Sequence, residues 1–365
     1  MDIGLIATSG KPGERRLPLH PAQIERLPED VRRRMSLEVG YGDSFGFADA
    51  RLAPLVAGLR TRDELLTGSG IVALPKPQHD DVAQMHEGQV LWGWPHCVQD
   101  AELTQLAIDR RLTVVAWEAM NHWNRDGSFS VHVFHKNNEL AGYCSVLHAL
   151  TLRGRSGAFG PRLRAAVISF GATGRGAVHG LSALGVSDVT VFTQREVSAV
   201  ASPITSVRIR SFDPDEHLAP ALAAFDIVVN CIFQDPEAPL IFVCEADLGR
   251  FAPGTLFVDV SCDEGMGFEW ARATSFAEPL LEVGDRCHYY AVDHSPSYLW
   301  NSATWEIGEA LAPYVGKLLE GPAAWEADET LQRAVEIRDG VVCNPKILAF
   351  QDRAAQYPHP RQGRV

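Results

Sequence analysis

Arg164-Ala-Ala-Val-Ile-Ser-Phe-Gly171-Ala-Thr-Gly174-Arg-Gly176-Ala177-Val-His-Gly180 decides the fold. A short β-branched run, Val167 and Ile168, reaches a glycine cluster. An apolar helical pattern follows (Val178, Leu181, Leu184), then Gly185 and a second apolar run, Val189-Thr-Val-Phe192. Strand, glycine turn, helix and second strand in this order make a βαβ unit with the turn that binds dinucleotides. Glycines let the backbone approach a pyrophosphate, and the N–H groups at the helix start hold its charge. In the register G-x-G-x-x-G the first position is Ser169, followed by Gly171 and Gly174. A serine there must adopt dihedrals that glycine reaches freely. The competing reading is an ordinary strand–helix loop.

The end of the second strand bears on which nucleotide. An Asp or Glu there accepts from the ribose 2′-hydroxyl of NAD. Here the strand ends Phe192-Thr193-Gln194-Arg195, with no acid before Glu196. Thr193 and Arg195 suit a 2′-phosphate, since the arginine fork is planar and permanently charged. The alternative is a solvated loop arginine. NADP(H) is the expected cofactor.

The 365 residues suffice for two domains, and 46% hydrophobic with 22% charged residues is the balance of a globular protein. A net charge of −13 argues against nucleic acid or an anionic membrane as partner, so any anion site must be local. The seven cysteines form no C-x-x-C and no regular framework. Without a signal peptide they read as reduced thiols, and a cytoplasmic location is expected.

Along the chain, Asp2–Thr8 reads as a first strand, followed by a loop and a helix bearing Ile24 and Leu27. Leu37-Glu-Val, Gly70–Leu74, Val90–His96 and Thr113–Trp117 are further strands, with an acid-rich helical stretch between the first two. A helix from about Leu140 to Leu152 leads to the glycine turn. Asp226–Asn230, Thr255–Val260 and His288–Val292 continue a parallel sheet. From Trp305 the pattern is helical, with Ile307, Ala310, Leu311, Tyr314, Val315 and Leu318 on one face. The expected architecture is α/β, with two Rossmann-like domains, a cleft between them and the first domain discontinuous. Residues 1–140 and 300–365 form the substrate domain, and 141–299 the nucleotide-binding domain. The long helix either mediates self-association, giving the expected homo-oligomer, or packs within one chain. Gln356–Val365 is expected to fray or to pack on the surface.

Four stretches carry residue types suited to chemistry. Arg16 follows the first strand in Glu14-Arg-Arg-Leu-Pro, and Lys76 stands between two prolines at a strand end. Each reads equally as a solvated cation. His96 follows Trp92-Gly-Trp94-Pro95, aromatic surroundings that shield a side chain from water and tune its pKa. Asp263 and Glu264 follow the strand Leu256–Val260, at the end where a Rossmann sheet meets its ligand, or they cap a helix. His122 and His132-x-x-His135 lack metal-site spacing, so no metal is expected. The glycine turn lacks the Lys-Ser/Thr of a P-loop, and no G-x-S-x-G elbow is present.

Together these stretches resemble the alanine dehydrogenase/pyridine nucleotide transhydrogenase superfamily over nearly the whole chain. Glu14-x-Arg16-Leu is similar to its N-terminal arginine motif, and Pro75-Lys76-Pro77 to its substrate-binding lysine turn. His96 falls at its catalytic histidine and Glu118 at a strand-end glutamate. Val258–Glu269 resembles its catalytic-aspartate segment. Leu91–His96, Ala116–Met120, Lys136–Gly142 and Tyr290–Trp300 resemble, within it, the N5-(carboxyethyl)ornithine synthase family. That resemblance implies an NADPH-dependent imine reductase that condenses pyruvate with the side-chain amine of ornithine, or of lysine less well. It implies that Arg16 and Lys76 hold the keto acid, that His96 is the general acid/base and that Asp263 lies over the nicotinamide. Glu118, Asp293 or Glu139 are candidates for the second amine of a diamino acid. An amino-acid dehydrogenase using free ammonia is the alternative. A nucleotide-binding regulatory protein without turnover is a third reading, supported by Ser169 alone.

Overall fold

The structure, a computed structural model, describes all residues except 201, 203–206, 235–238 and 363–365. The chain forms two compact units, Met1–Phe134 with Trp300–Val365, and His135–Leu299. Each is an α/β unit with its own sheet and cores.

The first unit holds an eight-stranded sheet. Its order is Val341–Val342, Val335–Arg338, Thr113–Ala116, Val90–Gly93, Ile71–Leu74, Ile3–Leu5, Met35–Glu38 and Gly58–Arg60. From Thr113–Ala116 to Gly58–Arg60 every pairing is parallel, and the last two strands of the chain run antiparallel. Strands buried on both faces need continuous apolar runs, and these have them. Successive residues alternate between two cores. Ile71, Ala73, Val90, Trp92 and Val115 pack on one face, whereas Val72, Leu74, Leu91 and Val114 pack on the other. The helix Trp300–Glu320 lays Ile307, Leu311, Val315 and Leu318 into the first of these cores.

The second unit repeats the plan. Its seven-stranded sheet runs Val207–Ser211, Asp188–Thr193, Arg164–Ile168, Ile227–Asn230, Leu256–Asp259, Cys287–Tyr290 and Leu280–Val283. All pairings but the last are parallel. In both sheets the first strand is interior, with later strands added on one side and then on the other. This is the doubly wound order, which puts a topological switch point at the carboxyl end of that strand. Two Rossmann-like domains, the first discontinuous in sequence, are thus the fold class of the chain.

Several elements differ from the sequence reading. The strands Gly58–Arg60, Val207–Ser211 and Leu280–Val283 were not expected, because each is short and lies at or beside a sheet edge with partly exposed residues. Val335–Arg338 and Val341–Val342 follow the long helix, in a stretch where no strand was expected. The helix before the glycine turn begins at His135, and the long helix at Trp300. Near the C-terminus His359 is buried, with Nε2 accepting the Val342 N–H at 3.1 Å, so this part packs.

Candidate active site

In the first unit, four strand ends deliver the chemistry-bearing residues. The loop after Ile3–Leu5 carries Glu14 and Arg16, and Ile71–Leu74 runs into Pro75-Lys76-Pro77. Val90–Gly93 leads to His96, and Thr113–Ala116 to a short 3-10 turn, Trp117–Ala119, holding Glu118. Gly93 lets two of these ends converge, since a Cβ there would stand 2.2 Å from the Leu74 carbonyl. The Trp94 N–H donates to the Pro75 carbonyl at 3.1 Å, which ties the lysine turn to the histidine segment.

Lys76 Nζ donates to His96 Nε2 at 2.7 Å. An ammonium has only donors, so Nε2 is the acceptor and the ring proton of this neutral imidazole is on Nδ1. Nδ1 lies 3.9 Å from Glu118 Oε1, while the backbone N–H of His96 donates to that same oxygen at 2.7 Å. His96 takes φ 50°, a left-handed value that the Glu118 contact helps hold. The shield expected from Trp92 and Trp94 leaves the ring partly open: both tryptophans are buried in the core, whereas the His96 side chain is 44% exposed. Glu118 keeps its proton far above the ordinary carboxyl range. Burial, then the nearby Glu336, pushes it up to about 8.

Arg16 is buried rather than a surface cation. Its Nε donates to Glu14 Oε1 at 2.8 Å and its terminal nitrogen to Oε2 at 2.5 Å, while the guanidinium lies 5.0 Å from the Trp94 ring centre. A fork held on two sides presents its remaining edge in a set direction.

In the second unit, the turn between Arg164–Ile168 and the helix Ala172–Ala183 has the properties a pyrophosphate requires. Ser169 takes φ 77°, the left-handed conformation that glycine usually supplies, and its N–H donates to the Phe192 carbonyl at 2.7 Å. A Cβ at Gly174 would stand 2.3 Å from the Ser169 carbonyl, whereas one at Gly171 would meet nothing within 4 Å. The turn is therefore tight on its inner side and open at Gly171, where the helix N–H groups begin. Gly176 has a different task, since a Cβ there would stand 1.7 Å from the Glu139 carbonyl on the helix His135–Leu152. Thr193 is buried, and its hydroxyl accepts the Arg195 N–H at 3.2 Å. The Arg195 guanidinium donates to the Phe170 carbonyl at 2.9 Å, which brings its charge onto the glycine turn. Arg175 adds a second guanidinium, 4.5 Å from the Phe170 ring centre. The glycine turn and the helix start fit the pyrophosphate of a dinucleotide.

Asp263 lies in a turn after Leu256–Asp259, and no helix starts there, so capping does not explain it. Burial pushes its carboxyl up from the ordinary range. Of the candidates for a second amine, Asp293 accepts from His294 at 2.7 Å and Glu139 pairs with Lys136 at 2.8 Å.

Two residues escaped the sequence reading. Asp259, fully buried, accepts from Asn230 Nδ2 at 3.0 Å, the Cys262 N–H at 3.1 Å and the Tyr289 hydroxyl at 2.9 Å. Burial pushes it up to about 7. The signal was an acid inside the apolar run Leu256-Phe-Val-Asp259. Glu336, also buried, faces Glu118 electrostatically across 218 residues of sequence, a separation no local pattern reveals.

The N-terminal domain of the alanine dehydrogenase/PNT family matches residues 6–141, and its C-terminal domain residues 159–345. The N(5)-(carboxyethyl)ornithine synthase of Clostridium botulinum is 25% identical over 314 residues, covering 82% of this chain and 92% of that protein. The alanine dehydrogenase of Mycolicibacterium smegmatis is 24% identical, covering 96% and 98% respectively. Among solved structures, an L-alanine dehydrogenase superposes with a TM-score of 0.80 at 21% identity, covering 96% of this chain and 99% of that one. A transhydrogenase from Sinorhizobium meliloti gives 0.74 at 19% identity, covering 94% and 99%. The chain belongs to the alanine dehydrogenase/PNT family and is an oxidoreductase of that superfamily, whose members use nicotinamide nucleotides.

Proposed function

We propose that this protein catalyses the NADPH-dependent reductive condensation of pyruvate with the side-chain amine of ornithine or lysine. The observation that carries this reading is the Lys76–His96 hydrogen bond of 2.7 Å at adjacent strand ends. It pairs a cation suited to a 2-oxo acid with a neutral imidazole suited to proton transfer. Arg16, oriented by Glu14 and Trp94, is assigned the carboxylate of the oxo acid.

Attack of an uncharged amine on the oxo carbon gives a carbinolamine, which loses water to become an imine. His96, in contact with the Lys76 ammonium, accepts the proton that the attacking nitrogen gives up and, now imidazolium, returns it to the carbinolamine hydroxyl, which leaves as water, while solvent protonates the oxo oxygen. Glu118, neutral at ordinary pH, adds no anion beside His96. Asp263 is assigned to the positive charge of the protonated imine, with its carboxyl ionised in the complex. NADPH supplies the hydride when bound. Arg195, with Thr193 setting its backbone and no acid preceding Glu196, supports a 2′-phosphate over a 2′-hydroxyl. The carboxyethylornithine synthases among the relatives support the amine class.

The test follows NADPH absorbance with pyruvate and each of ornithine, lysine, alanine and ammonium, repeated with NADH. Oxidation with ornithine or lysine and not with ammonium is the expected result. Oxidation with ammonium alone makes the protein an amino-acid dehydrogenase. No oxidation with any amine, alongside measurable NADPH binding, favours a regulatory role.

A further inference from the structure

The turn that carries Asp263 belongs to a longer stretch, 260–272, which leaves the sheet after Leu256–Asp259 and includes the short strand Gly267–Phe268. Both ends of that stretch meet one buried side chain. Asp259 Oδ1 accepts the Cys262 N–H at 3.1 Å, near its start. Asp259 Oδ2 accepts the Tyr289 hydroxyl at 2.9 Å, and that hydroxyl accepts the Arg272 N–H at 3.2 Å, at its end. A phenol has one proton, so a Tyr289 that donates to the carboxyl keeps its lone pairs for the backbone. Tyr289 stands on Cys287–Tyr290, the strand paired with Leu256–Asp259, so the clasp is anchored in the sheet.

Further contacts shape the residues between the two ends. Cys262 takes φ 47°, a left-handed value unfavourable to a residue with a Cβ, and its hydrogen bond to Asp259 offsets that cost. Asp263 follows directly. Its carbonyl accepts the Met266 N–H at 3.1 Å, and the Gly265 N–H donates to the Ala271 carbonyl at 3.1 Å. Asn230 Nδ2 donates to Asp259 Oδ1 at 3.0 Å, and a Cβ at Gly267 would stand 2.4 Å from that nitrogen. Buried donors and acceptors of this kind are costly to leave unpaired, so the set holds or opens together. An acid that must face a developing charge needs such a fixed approach.

We propose that Asp259, through Cys262 on one side and through Tyr289 and Arg272 on the other, is a positioning residue that fixes Asp263. Asp259 acts on the backbone at both sides of the residue that meets the substrate. Loosening the clasp therefore lowers kcat and leaves substrate affinity in place, because the charge facing Asp263 develops during the reaction. This inference rests on the reading of Asp263 as the residue that faces the protonated imine.

The experiment measures amide hydrogen exchange by NMR in the full chain without substrate, in the parent and in Y289F. Y289F removes only the hydroxyl, which opens the Arg272 end of the clasp. The Arg272 amide is expected to exchange about tenfold faster or more, and the Met266 amide, bonded to the Asp263 carbonyl, to quicken with it. A Met266 amide unmoved in Y289F overturns the proposal. Should Y289F fail to fold, the parent decides: Cys262, Met266 and Arg272 protected to a similar degree support the clasp, and an unprotected Arg272 overturns it. Activity supplies a separate reading in the parent, Y289F, D263N and the double variant. Y289F is expected to lower kcat about tenfold, with KM for pyruvate held within about twofold. In the D263N background Y289F should change kcat by less than about twofold, since no carboxylate remains to be placed. Equal losses in both backgrounds mean general damage and overturn the proposal. If Met266 quickens in Y289F while D263N keeps the parent's kcat, the clasp stands and the assignment of Asp263 to the imine falls.

Discussion

Asp259 accepts three hydrogen bonds in full burial and yet holds its proton up to about 7, because lost hydration outweighs the three donors. Its value in the unfolded chain is near the ordinary one of about 3.9. Between those limits the folded state binds more protons than the unfolded state, so stability falls as pH rises through that window. Asn at this position keeps acceptors for Asn230 and Cys262 and cannot ionise. In D259N the melting temperature, measured from pH 4 to pH 8.5, is expected to fall less steeply than in the parent. The variant gains at the alkaline end by about 2–4 °C for each kcal/mol recovered. A remaining slope between the ordinary glutamate range and about 8 belongs to Glu118, which is raised in the same direction. A slope identical in both proteins would mean that Asp259 is ionised throughout. Asp263, four residues on, was legible because an acid after an apolar run marks a strand end. Asp259 was not, because inside the run the β pattern absorbs it.

At the scale of elements, glycines of one motif do separate work. The helices His135–Leu152 and Ala172–Ala183 meet backbone to backbone: a Cβ at Gly142 would stand 1.9 Å from the Thr173 carbonyl, and one at Gly176 1.7 Å from that of Glu139. Gly171 faces open space with an ordinary φ of −75°. G176A is therefore expected to destabilise the fold by about 1–3 kcal/mol, read by denaturant unfolding. G171A should leave unfolding unchanged while weakening dinucleotide binding about tenfold or more, since its methyl stands where phosphate approaches. If G171A costs stability and G176A costs only affinity, the two roles are reversed. The glycine turn and the strand-end motifs were readable because each follows a short buried run. The antiparallel edge had a readable mark too, Asp339-Gly340 between Val335-Glu-Ile-Arg and Val341-Val. Both turn residues take positive φ, 49° and 81°, as a two-residue hairpin demands. The long helical period upstream hid that mark, and with it the strand that carries Glu336.

Over the whole molecule, a net charge of −13 must coexist with a site for a polyanionic cofactor. The glycine turn answers this locally. Arg195 donates to the Phe170 carbonyl, Arg175 lies over the Phe170 ring, and the helix from Ala172 starts between them. Attraction that depends on two guanidinium groups against an acidic background weakens as salt screens it. NADPH at a hundredfold excess over Kd stabilises the state that binds it by about 2.7 kcal/mol. For a unit the size of His135–Leu299, that moves its melting temperature by about 5–10 °C. Hydrogen exchange should place the added protection at residues 168–176 and 193–195, within that unit. NADH at the same concentration should shift melting less, and R195S should bring NADPH down to the NADH value while leaving the NADH shift in place. An equal or larger shift with NADH in the parent would remove the case for a 2′-phosphate site, and Arg195 would then serve only to brace the turn through Phe170.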